Sequence, residues 1–86
     1  MILSALSSHN TGIEVGSIYR RYGRGAMVEL AHVVEVAADR MGIPHVRFQM
    51  QVTRGSGPPT NETRTLALDV FQSRYPELVQ LGADDS

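Results

Sequence analysis

The stretch A-M-V-E-L-A-H-V-V-E-V-A-A, residues 26–38, decides the fold. Two readings compete for it. On a helix, Glu29, His32, Glu35 and Asp39 share one face, and Gly42 supplies a C-terminal stop. On a strand, Val28, Leu30, Val34 and Val36 share an apolar face, with Glu29 and Glu35 opposite. Valines at 28, 33, 34 and 36 favour the strand, because branching at Cβ restricts rotamers in a helix. The helical face is also interrupted by Val28, Val33 and Val36, and no Ser, Thr, Asp or Asn caps its start. The expectation is therefore a strand, with a helix over 26–41 on a three-stranded sheet, an α+β fold, as the alternative.

The next segment of the chain supports the strand. From Asp39 to Arg54, D-R-M-G-I-P-H-V-R-F-Q-M-Q-V-T-R, Val46, Phe48, Met50 and Val52 alternate with His45, Arg47, Gln49, Gln51 and Thr53. That period of two is what a half-buried strand requires. Asp39 and Gly42 occupy the first and last places of a four-residue turn, where each is favoured. The two segments thus read as an antiparallel hairpin.

Outward from the hairpin, Gly16 to Tyr22 suits a pleated surface, and Gly23-Arg24-Gly25 reads as a turn. Arg54 to Glu62 reads as a loop, and Thr63 to Leu68 as a further strand with Leu66 and Leu68 inward. Asp69 is placed to cap a short helix, Val70 to Tyr75, whose Phe71 and Tyr75 share a side and plug the sheet. A second turn is expected from Pro76 to Leu81, ending at Gly82. Residues 1–12 and 82–86 read as tails around a single domain at 13–81; the first tail, with its apolar Met1-Ile2-Leu3 start, admits a short helical turn.

The order of these segments resembles the short bacterial SH3-like barrel domains of unknown function. Those open with a pattern close to G-x-Y-R-H-Y-K-G, matched by Gly16, Tyr19, Arg20, Tyr22 and Gly23, and close with an R-P-x-x-x-F-like segment, matched loosely by Arg64 and Phe71. The likeness covers about residues 16 to 75. One extra residue precedes Tyr19, Arg21 stands in place of the histidine, Arg24 follows Gly23, and the loop at 55–62 is longer. The resemblance implies a mainly-β fold, a small antiparallel SH3-like barrel with a short C-terminal helix. It implies no activity, because function resides in sites rather than folds.

Composition narrows the function. The chain has 86 residues, a net charge of −1 and no cysteine. A domain this small buries a modest core, and a cysteine-free one suits a reducing, cytoplasmic setting. No basic start with an apolar run marks a secretory leader, and no stretch approaches the length of a membrane span. His9, His32 and His45 lack the company of a metal site, His32 being expected on the apolar side of its strand. No nucleophile elbow or phosphate loop is present, and Glu29 and Glu35 read as a solvated face. The expectation is a non-catalytic module without cofactor or metal.

All eight basic residues are arginine, and they concentrate at 20–24 and 40–54. Arg20, Arg21, Arg24, Arg47 and Arg54, with Tyr19 and Tyr22, form the candidate binding surface. Rings beside guanidinium groups suit base stacking, so RNA or DNA binding is one expectation. The other use of these arginines is pairing with Glu29, Glu35 and Glu62 on a solvated surface. The leading expectation is a protein or peptide partner, received by an exposed strand edge or aromatic groove. The same edge admits an edge-paired homodimer in place of a monomer.

Overall fold

The computed structural model describes residues 12–82. The tails expected at 1–11 and 83–86, with the helical turn and His9, lie outside the described residues. Five strands form one antiparallel sheet: β1 (Ile18–Tyr22), β2 (Met27–Ala38), β3 (Pro44–Arg54), β4 (Thr60–Ala67) and β5 (Glu77–Gln80). The helix α1 (Leu68–Arg74) lies between β4 and β5 in sequence. Strand order is β4-β3-β2-β1-β5, so α1 carries the chain from one edge of the sheet to the other. The fold is the mainly-β, barrel-like sheet with a short helix that the valine-rich segment predicts. The helical alternative for 26–41 is excluded, because Met27–Ala38 pairs along its length with β3.

The hairpin forms as its sequence predicts. The Gly42 N–H donates to the Asp39 carbonyl at 3.0 Å, and Gly42 adopts φ +80°, a left-handed conformation that favours glycine. The Asp39 carboxylate also accepts the N–H groups of Met41 and Ile43, at 2.8 and 3.0 Å. These bonds hold its pKa below the ordinary carboxylate range, the bond from Ile43 first.

The inner face of the sheet carries the core: Ala31, Val33, Val46, Phe48 and Met50 are buried against Ile13, Phe71 and Tyr75. Phe71 and Tyr75 plug the sheet as expected. The helix itself starts at Leu68, with Ala67 at its N-cap position. Asp69 therefore sits in the first turn, where a carboxylate still favours the helix dipole.

Three expectations need correction. Val33 pairs with Phe48 and Glu35 with Arg47, so Val34 is an extra residue in β2. Such a bulge shifts the alternation by one place. Ahead of it, Glu29, Ala31 and Val33 face inward and Val28, Leu30 and His32 outward; beyond it, Val36 faces inward opposite Val46. Glu29 is thus buried rather than solvated, and His32 is exposed on the outer face. The third correction concerns Pro76 to Leu81, where the chain forms β5, a fifth strand, in place of a turn. Its far end is fixed by the Gly82 N–H, which donates to the Ser17 hydroxyl at 3.0 Å. A side chain on Gly82 would collide with the Val15 carbonyl oxygen, so only glycine fits there without adjustment.

Candidate strand-docking edge and arginine groove

The sheet ends in two edges of different chemistry. β4 presents Thr60, Asn61, Glu62, Thr63, Arg64 and Thr65, all exposed, with Arg64 Nε donating to Glu62 at 3.0 Å. Charged side chains on an edge oppose pairing with another chain. β5 has no such guard. It pairs with β1 on one side only, and its central residues Leu78 and Val79 are each 45% exposed. Leu81, just beyond, is 61% exposed.

A groove of about 770 Å³ opens beside the start of β5. Arg20, Arg21 and Tyr22 of β1 line one wall, Val70 and Arg74 of α1 the other, with Pro76 and Glu77 between. It exists because β5 begins opposite Arg20, which leaves the last two residues of β1 without a neighbour on that side.

Neighbouring arginines play different parts here. Arg20 faces outward and makes a two-point contact with Glu77, Nε to Oε1 at 3.1 Å and Nη2 to Oε2 at 2.6 Å. That bond lowers the Glu77 pKa and keeps Arg20 more firmly protonated. The Arg20 guanidinium also lies 5.3 Å from the centre of the Tyr22 ring, within cation–π range. Arg21 points to the inner face. One nitrogen, Nη1, donates at 2.9 Å to Glu29, whose other oxygen accepts the Tyr75 hydroxyl at 2.9 Å. A buried carboxylate without partners would be costly; these two donors are why Glu29 tolerates 6% exposure.

Burial raises the pKa of Tyr75, and the bond to Glu29 and the charge of Glu29 add to the rise. Burial, then the charge of Glu14, raises that of Tyr19. The folded state therefore holds these protons more tightly than the unfolded chain does. Their contribution to stability is intact below the ordinary tyrosine value of 10.0 and is lost as pH rises above it. Denaturant unfolding at pH ~8 and ~11 should show lower stability at the higher value, and Tyr75→Phe should shrink the difference. An unchanged difference in the variant would remove Tyr75 as its source.

The structure brings Arg20, Arg21 and Tyr22 to the groove and leaves the other candidates elsewhere. Tyr19 faces the core, its ring edge-on to Phe71 at 5.5 Å. Arg47 pairs with Glu35 near the far end of the hairpin, at 3.0 Å. Arg24 and Arg54 are exposed at the opposite end of the sheet, where Arg54 pairs in register with Met27. The Glu29, Glu35 and Glu62 pairings expected for a solvated surface all form, although Glu29 makes its pair from the interior. Sequence reading misses Val70, Arg74 and Glu77, because it places a turn rather than a strand after Pro76. The one visible signal of β5 is Leu78-Val79, an apolar pair of which one is β-branched.

Among the described residues, no group of three or more His, Asp or Glu residues is placed to hold a metal ion, and no helix is long and apolar enough to cross a membrane. Comparison of the chain with protein-family models, with curated proteins and with solved structures returned no match.

Proposed function

We propose that this protein is a non-catalytic interaction module that receives an extended segment of a protein partner as a sixth strand along β5. The open, apolar edge at Leu78 and Val79 carries this reading. Strand addition draws affinity from backbone hydrogen bonds and selectivity from pockets for alternate side chains. The groove next to Glu77 supplies such a pocket. The resemblance to SH3-like barrels agrees with a binding role but does not choose the partner. Nucleic-acid binding has weaker support, since Arg20, Arg21 and Arg47 each already pair with a carboxylate and do not share one face.

The test is selection from a library of displayed linear peptides, followed by titration of isotopically labelled protein with the enriched sequences. Expected are apolar peptides that shift the backbone signals of Glu77–Gln80 and Ile18–Tyr22 and lose affinity for Val79→Lys. Failure to enrich any peptide would overturn the reading. So would a complex with mixed RNA that weakens steeply as salt rises, the mark of phosphate contacts.

A further inference from the structure

We infer that the β5 edge also receives a second copy of this chain, in an antiparallel pair that lays the acidic C-terminal residues of each copy in the arginine groove of the other. This rests on the reading of β5 as a docking edge and names what holds it when no partner is bound.

Three observations lead to it. Every strand pair in the sheet is antiparallel, so an added strand that continues the pattern runs against β5. The sequence Glu77-Leu78-Val79-Gln80 is complementary to itself in that arrangement. A two-fold axis through its centre sets Leu78 opposite Val79 and Glu77 opposite Gln80. Apolar residues then meet, and no like charges face each other.

Polarity supplies the second step. In such a pair the chain of one copy passes Gln80 and continues beyond Glu77 of the other, towards Pro76, Arg74 and the groove. The residues that follow Gln80 are Leu81, Gly82, Ala83, Asp84 and Asp85. At ~3.3 Å per residue, Asp84 falls about 13 Å past Gln80, on the side where the guanidinium groups lie.

Charge is the third. Arg74 pairs with no carboxylate among the described residues, and Arg21 uses one nitrogen on Glu29, leaving further donors for the groove. Two aspartates complement that wall. A chain's own aspartates do not reach it. Gly82 is tied to Ser17, five residues along β5 from Glu77, or about 16 Å. Asp84 lies only two residues from Gly82, a reach of about 7 Å. The groove is therefore served by another copy.

Light scattering on a sizing column over a range of concentrations tests this, with circular dichroism to confirm that each variant is folded. The wild-type chain is expected to dimerise as concentration rises, and Val79→Lys to remain monomeric. Arg74→Glu, and separately the pair Asp84→Arg and Asp85→Arg, should each weaken dimerisation by about tenfold or more at low salt. Combining the two sets should restore it. A wild-type monomer at every concentration that still binds the selected peptides overturns this inference and leaves the proposed function standing. A dimer indifferent to Val79→Lys, or one whose charge variants do not rescue each other, overturns it as well. Loss of both peptide binding and self-association removes the docking edge altogether.

Discussion

Phe71→Ala should lower the unfolding free energy by about 3–5 kcal/mol, the cost of deleting a fully buried aromatic side chain. Phe71 has no exposed surface, and its ring meets those of Tyr19, Phe48 and Tyr75 at centroid distances of 5.5, 5.0 and 5.2 Å. A chain of this length has roughly 4–13 kcal/mol in all, at ~0.05–0.15 kcal/mol per residue. The change thus removes a large fraction of the total. α1 cannot absorb the loss, since an isolated helix of seven residues does not hold itself together. Because α1 delivers the chain from β4 to β5, loosening it should also free β5 from β1. Urea unfolding gives the energy, and amide exchange at Glu77–Gln80 gives the local effect. Val70→Ala, on the half-exposed side of the same helix, serves as control and should cost within ~0.5 kcal/mol. A Phe71→Ala variant within about 1 kcal/mol of wild type, by the scale of cavity costs, would mean that the helix is not the anchor described here.

The parts of this fold that are legible in the sequence are those with local causes. The alternation from Val46 to Val52, the Asp39 to Gly42 turn and the spacing of Phe71 and Tyr75 each follow from neighbours in the chain. The errors have remote causes. A bulge at Val34 leaves no mark in composition, yet it reverses which side of β2 faces inward. Glu29 is an acceptable core residue only because a hydroxyl 46 residues away donates to it. Four residues with no alternation, next to Pro76, give no periodic signal, and β5 exists because β1 offers it an edge. The candidate site suffers for the same reason. Arg20 and Arg21 look like one patch in the sequence, although adjacent strand residues face opposite ways. Their partners, Glu77 and Glu29, decide what each can do.

Glu29→Ala is the second large effect, and it asks whether the buried carboxylate organises that end of the core. Removing it strips both the Tyr75 hydroxyl and Arg21 of their acceptor in one step. Breaking a buried pair costs about 3–5 kcal/mol, because the remaining partner stays desolvated. The Arg21 side chain is 31% exposed and can recover some hydration, which places the expected loss near the lower figure, about 3 kcal/mol. Glu29→Gln keeps an acceptor for Tyr75 and for Arg21 but no charge, so it should cost less, about 1 kcal/mol. Glu35→Ala breaks the pair with Arg47, both of whose side chains are about half exposed, and should change stability by less than ~0.5 kcal/mol. The discriminating result in denaturant unfolding is the ranking, with Glu29→Ala worst, Glu29→Gln intermediate and Glu35→Ala mildest. Equal losses for Glu29→Ala and Glu35→Ala would show that water reaches both carboxylates alike. Arg21 would then be an ordinary surface arginine, and the groove would lose the fixed guanidinium on which its selectivity for acidic residues depends.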